Sequence, residues 1–287
     1  MLSRWFTAIR PKTLSASIAP ILLSQMLAYQ HAVQFSWFLA LIILLCTILL
    51  QISANLANDY FDDKAGIDTD QRLGPKRAIQ AGLLNSTQVK KGMNWSLFTA
   101  SILGLYLMYI GGAVYILLGL LSIAGVLGYS AGPKPLASNA LGEVAVFLFF
   151  GPVAVLAAGY LQEQSILTLH YYVSYAIQMG LLAAAIMLVN NIRDIKSDSH
   201  AQKRTLAILL GELKSRMTYG VMLGAVVALA YFNNQHLVVL LVAIVFTILL
   251  TVLLFKRSAQ QLNQQLAQTA AFMLLWSLLC IFELVVL

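Results

Sequence analysis

Long apolar runs separated by short polar breaks set the rhythm of this chain. No charged residue occurs over 13–58, 92–133 or 217–255. An α-helix rises about 1.5 Å per residue and a bilayer core is about 30 Å thick, so each run is long enough for two crossings. Each run also breaks near its middle, at 30–36, at Gly111-Gly112 and at 233–236. Polar residues and glycine at these points suit tight turns between antiparallel spans. Three further apolar stretches, 140–161, 171–189 and 269–286, complete the pattern. The expectation is an all-α, multi-pass bundle of nine transmembrane helices, one integral membrane domain over 1–287. The runs are continuous rather than alternating, which excludes a transmembrane β-barrel. The first ten residues are too polar for a cleaved signal peptide, and the first apolar run is closely integrated with the rest.

Composition agrees with the pattern. Hydrophobic residues make up 60% of the 287, and charged residues only 10%, against about 25% in soluble domains. So few charges exclude a cytosolic enzyme and a disordered chain. The net charge of +7 does not point to nucleic acid, because of where the bases lie. With nine spans, all 18 Lys and Arg fall before the first span or after the second, fourth, sixth and eighth. That places them on one face, which the positive-inside rule assigns to the cytoplasm, with the N-terminus inside and the C-terminus outside. Cys46 and Cys280 lie within apolar runs and read as packed thiols. Of the 11 acids, only Glu163 and Glu283 fall on the opposite face. The rule says little about acids, so their concentration needs another cause.

Two clusters supply one. The first is Asn55-x-x-Asn58-Asp59-x-x-Asp62-Asp63, followed by Asp68 and Asp70; the second is Asn190-Asn191-x-Arg193-Asp194, followed by Asp198. Each ends an apolar helix, the second span and the sixth, on the basic face. Asn55, Asn58, Asp59 and Asp62 recur at helical spacing on one side. Asn58 aligns with Asn190, Asp59 with Asn191 and Asp62 with Asp194, and a basic pair follows each cluster, Lys76-Arg77 or Lys203-Arg204. The match suggests a pseudo-repeat of helices 1–4 and 5–8. Converging carboxylates and amide oxygens are hard ligands suited to Mg²⁺, and neither cluster core holds a His or Cys for zinc. Mg²⁺ keeps positions for substrate phosphates, and the neighbouring bases suit phosphate oxygens, so the pairing points to a diphosphate at the membrane edge. A solvated, salt-bridged loop is the plain alternative. His200 reads as a loop residue, and His31, His170 and His236 fall on the far face. Tyr129-Ser-Ala-Gly132-Pro133-Lys134 and Gly74-Pro75-Lys76-Arg77 are each either simple turns or further phosphate contacts.

With these motifs in place the sequence resembles the UbiA superfamily of intramembrane aromatic prenyltransferases, over essentially its whole length. The match rests on Asn58-Asp59-x-x-Asp62, Asp194-x-x-x-Asp198 and Tyr129-x-x-x-x-Lys134. It looks most like the menaquinone-pathway branch, through Arg10-Pro11-Lys12-Thr13-Leu14, Gly74-Pro75-Lys76-Arg77-Ala78 and Lys203-Arg204-Thr205-Leu206-Ala207. Gly66 stands where many superfamily members carry an acid, which leaves the third ligand of the first motif open between Asp63 and Asp68. The resemblance implies a bacterial inner-membrane enzyme that transfers a polyprenyl group from its diphosphate to an aromatic acceptor, 1,4-dihydroxy-2-naphthoate or, as a rival, 4-hydroxybenzoate. It implies Asp59, Asp62, Asp194 and Asp198 as the catalytic acids, binding Mg²⁺ together with Asn58, Asp68 and Asn190. Arg72, Lys76, Arg77, Tyr129, Lys134, Lys203 and Arg204 are then candidates for the diphosphate, and Arg10, Lys12 and Arg193 for the acceptor. Arg10 and Lys12 serve equally well as topology-setting bases. A transporter is the rival from another class; its hallmark is inverted repeats with midplane charges, whereas these repeats are parallel and their charges edge-bound. The oligomeric state stays open.

Overall fold

The computed structural model describes residues 2–66, 73–164, 169–233 and 235–286. Among these the chain is all helical apart from one isolated β-bridge between Asn139 and Arg204. A short α1 (Leu2–Ile9) leads into α2 (Pro11–His31), α3 (Trp37–Lys64), α4 (Ser86–Gly111) and α5 (Ala113–Gly128). A continuous helical segment, α6 (Gly142–Glu163), follows, then α7 (Leu169–Arg193), the short α8 (Ile195–His200) and α9 (Leu206–Leu210), α10 (Glu212–Phe232), α11 (Leu237–Lys256) and α12 (Leu262–Val286).

The breaks fall where the polar punctuation places them. Ser36 caps α3 by accepting from the Leu39 amide at 3.2 Å, and Gly112 separates α4 from α5 at φ 73°, where a side chain would be strained. The last helix begins at Leu262, earlier than the expected 269, because Asn263, Gln265 and Thr269 are spent on contacts inside the protein. Gln265 donates to the Leu250 carbonyl at 2.8 Å and Thr269 lies 2.8 Å from the Tyr219 hydroxyl.

Among the described residues, seven helices are long and apolar enough to cross a bilayer: α3, α4, α6, α7, α10, α11 and α12. This is an integral membrane protein, and α4, α5, α10 and α11 carry broad apolar faces outward. Two of the nine expected spans differ. The apolar α5 is only 16 residues long. α2 has the length but is polar, because it runs through the interior, against α3, α6 and α12. Ser17 donates to Gln51 at 3.0 Å, Ser24 to the Val155 carbonyl at 2.8 Å and Gln25 to the Ala158 carbonyl at 3.1 Å.

The two halves are packed differently. α7, α10 and α12 form a solid core around Tyr172, Tyr219, Phe272 and Trp276, whose indole donates to Gln178 at 2.8 Å. α2 to α6, closed by one face of α7, instead enclose a chamber of about 720 Å³. Its wall on α6 is wound as a π-helix over Phe149–Ala157. Pro152 lacks an N–H and its ring crowds the preceding turn, which a wider winding relieves.

Candidate active site

The chamber runs the depth of the bundle. On α3 its lining extends from Lys64 to Ile43, about 32 Å of helix. The deep part is apolar, with Leu107, Met108, Leu118, Val153 and Leu161 on its walls. Its other end is polar, and there the two clusters meet. Asn58, Asp62 and Arg77 line one side, and Asn190, Asn191, Asp194, Asp198 and Lys203 the other. Tyr129, just past the end of α5, sits between them. Burial, then the carboxylates of Glu143, Asp62 and Asp198, push its phenol upward, so it stays protonated.

Three acids that line this mouth are each held by a cation. Asp62 pairs with Arg77 at 2.5 Å, Asp194 with Arg193 at 2.6 Å and Asp198 with Lys203 at 3.1 Å. The Arg193 contact is bidentate, its Nε donating to the other Asp194 oxygen at 2.8 Å. The same guanidinium donates to Asn190 and to Asn263, both at 2.8 Å. Arg193 is 3% exposed, lies off the chamber wall and engages Asp194, Asn190 and Asn263, so it positions Asp194 and Asn190 rather than facing the chamber as an acceptor contact. Asp59 likewise turns away from the cavity: its Oδ2 accepts from the Ala78 amide at 3.1 Å, anchoring the loop that carries Arg77.

The remaining expected residues divide. Arg10 lines the chamber at the left-handed turn between α1 and α2. Asn55 pins that turn by donating to the Ile9 carbonyl at 2.8 Å and to Thr13 at 3.0 Å. Lys76, Lys134 and Arg204 are exposed and off the cavity wall. The Arg204 backbone nevertheless ties the loop after the second motif to the connection between α5 and α6 by donating to the Ser138 carbonyl at 2.9 Å. Asp63 is exposed on the last turn of α3; Asp68, Arg72 and the side chain of Lys12 lie outside the described residues. Reading the motifs alone misses Glu143, Ser130 and Asn263. Ser130 donates to the Asn58 side chain, and Glu143 accepts from Asn191 at 2.8 Å. All three are distant in sequence from the residues they hold, so the spacing of the acidic clusters carries no signal of them; Ser130 stands unremarked inside the Tyr129–Lys134 segment, and Glu143 shows only as a charge on the basic face.

The donor set suits a hard divalent cation in type: Asp62, Asp194, Asp198, Asn58 and Asn190 all line the cavity and carry oxygen ligands. Among the described residues, no three acid, His or Cys side chains are grouped closely enough to hold an ion by themselves. The pairing with cations explains this, since each carboxylate leans toward its own base.

The sequence profile of the UbiA prenyltransferase family matches residues 17–278. A 1,4-dihydroxy-2-naphthoate octaprenyltransferase of Haemophilus influenzae is 37% identical over 237 residues, 80% of this chain and 76% of that protein. The protein of the same name from Escherichia coli K12 is 35% identical over 239 residues, with 80% and 76% covered. A solved UbiA homolog from Archaeoglobus fulgidus, bound to DMAPP and Mg²⁺, shares the fold with a TM-score of 0.65 at 14% identity, over 97% of this chain and 99% of that one.

Proposed function

This chain belongs to the UbiA prenyltransferase family, and we propose that within it the protein transfers a polyprenyl group from its diphosphate to 1,4-dihydroxy-2-naphthoate, with loss of CO₂. The observation that carries the reading is the chamber itself, an acid- and base-lined mouth opening onto a deep apolar channel. Its two ends match a substrate with a diphosphate head and an isoprenoid tail. Each buried CH₂ of such a tail contributes about 0.8 kcal/mol, so the tail belongs in the apolar part. The aromatic acceptor follows from the named relatives.

In this reading Asp62, Asp194 and Asp198, with Asn58 and Asn190, hold Mg²⁺, and Arg77 and Lys203 contact diphosphate oxygens. Asp62, Asp194 and Asp198 are each paired with a base, so the charge of Arg77 and Lys203 is already partly spent and a multiply charged anion calls for more. Mg²⁺ supplies that charge and stabilises the departing diphosphate. Arg77 and Lys203 favour the same charge build-up as the allylic C–O bond breaks. The electron pair of that bond leaves with the diphosphate. The acceptor's C1 hydroxyl gives up its proton and pushes electrons to C2, which forms the new C–C bond to the allylic carbon. The resulting β-keto carboxylate loses CO₂, takes the proton back at oxygen and restores the aromatic ring. Tyr129 stays protonated throughout and acts as a donor.

Nine crossings remain our reading of the fold, with α2 and α5 added to the seven apolar helices. One membrane domain spans 1–287, and its two motifs end the second helix of each four-helix repeat. We place the mouth and the N-terminus on the cytoplasmic side of a bacterial inner membrane, since the basic loops gather there. Detergent-solubilised protein given Mg²⁺, polyprenyl diphosphate and either acceptor tests the activity. Prenylated product should form with dihydroxynaphthoate, far less with 4-hydroxybenzoate, and not in excess EDTA. Preference for 4-hydroxybenzoate, or turnover indifferent to EDTA, overturns the reading.

A further inference from the structure

Asn191 and Glu143 lie at the mouth but take no part in the scheme above. Asn191 is 7% exposed and lines the chamber, between the metal-binding candidate Asn190 and Arg193. Its Nδ2 donates to Glu143 Oε1 at 2.8 Å. Glu143 is 3% exposed, and its other oxygen, Oε2, is buried without a hydrogen-bond partner. The amide thus presents its NH₂ to Glu143, and its Oδ1 is the end left for a ligand. Beside it, Tyr129 points its hydroxyl at the Met187 thioether at 3.1 Å, a weak acceptor. A Cβ on Gly142 would stand 3.4 Å from that hydroxyl oxygen, so Tyr129 and Glu143 belong to one cluster. The mouth thus offers a fixed acceptor, Asn191 Oδ1, next to an under-used donor, the Tyr129 hydroxyl.

We propose that Asn191 recognises the aromatic acceptor, its Oδ1 accepting a hydrogen bond from the ring hydroxyl at C4, and that Glu143 is the positioning residue that holds the amide in that direction. This rests on the prenyl-transfer reading above. The C1 hydroxyl, next to the carboxylate, is satisfied within the acceptor itself and is needed to push electrons to C2. The C4 hydroxyl is the free donor. A site built to accept from a hydroxyl rejects an analogue lacking the proton, because the buried acceptor is then left unmatched.

The test compares 1,4-dihydroxy-2-naphthoate with its C4 methyl ether, 1-hydroxy-4-methoxy-2-naphthoate, in steady-state assays at saturating polyprenyl diphosphate. In the wild type the ether should show a KM about tenfold higher or more. Asn191→Leu should raise the KM for the dihydroxy acceptor by a similar factor and leave the ether unchanged, so discrimination disappears. Glu143→Gln keeps the shape but can both donate and accept, freeing the Asn191 amide to flip. Discrimination should fall there too, with the KM for polyprenyl diphosphate within about twofold of wild type, a pattern that general loss of structure does not produce. Equal use of both acceptors by the wild type overturns the proposal whether or not the variants fold. So does discrimination that persists in both variants. No wild-type turnover of dihydroxynaphthoate overturns the parent reading and this one with it, whereas turnover without discrimination overturns this one alone.

Discussion

The two acidic motifs match in sequence but are supported in different ways. The second is largely self-contained. Asp194 is clamped by its chain neighbour Arg193, and Asp198 by Lys203 five residues on. Arg193 is in turn fastened to Asn263 at the start of α12, in the half of the bundle with the solid core. The first motif depends on a distant loop. Asp62 is paired by Arg77, which also donates to the Asn58 carbonyl, and Asp59 holds that loop through the Ala78 amide. This motif sits on the wall of the hollow half. One motif is thus built on rigid packing and the other is completed when a loop folds back over a helix end. Such a difference suits a site that must keep a fixed frame on one side and admit a long substrate on the other.

Removing the acids tests what the motifs share. Asp62→Asn and Asp194→Asn should each lower turnover by about 100-fold or more, since each takes a charged ligand from the mouth. Near-normal turnover of both, normalised to folded protein, would sink the metal assignment. Removing the bases tests how they differ. Arg193→Ala takes the Arg193 contact from the buried Asp194 carboxylate and from the side-chain oxygens of Asn190 and Asn263, and loss of one member of a buried pair costs about 3–5 kcal/mol. Arg77→Ala should cost less, about 1–3 kcal/mol, because it strands one carboxylate and one backbone carbonyl rather than a carboxylate and two amide oxygens, yet it should raise the KM for polyprenyl diphosphate. Thermal unfolding in detergent ranks the two. Equal loss of stability would mean that the motifs are supported alike.

Much of this was legible before the fold was seen. The helix breaks at Ser36, Gly112 and His236 follow from local chemistry that acts over a few residues, namely caps, glycine and polar turns. The two motifs declared themselves because helical spacing brings Asn58 and Asp62, or Asn190, Asp194 and Asp198, onto one face. What stayed hidden depends on contacts distant in sequence. Nothing near Arg193 shows that Asn263 would engage it, and nothing near Asp59 shows that its carboxylate would be claimed by the Ala78 amide. The polar α2 looked like any other span, and only its neighbours show that its Ser and Gln side chains are used inside the bundle. Lys134 and Lys76 sit in conspicuous motifs, yet the turns that carry them aim both outward.

The smallest effects should come from those outward bases. Lys76→Ala, Lys134→Ala and Arg204→Ala each remove an exposed charge that touches no cavity wall, and exposed substitutions are usually within about 0.5 kcal/mol. For Arg204 the link between the loops runs through the backbone to Ser138, so the bridge survives loss of the side chain. Turnover and the KM for polyprenyl diphosphate should stay within about twofold of wild type in all three, against a clear rise in KM for Lys203→Ala. The contrast between Lys203 and Arg204 is the sharpest form of the comparison, because the two are chain neighbours and differ only in which way they face. A tenfold rise in KM for Arg204→Ala or Lys134→Ala would place that residue on the phosphates and require the loop to close further over the mouth once the substrate is bound.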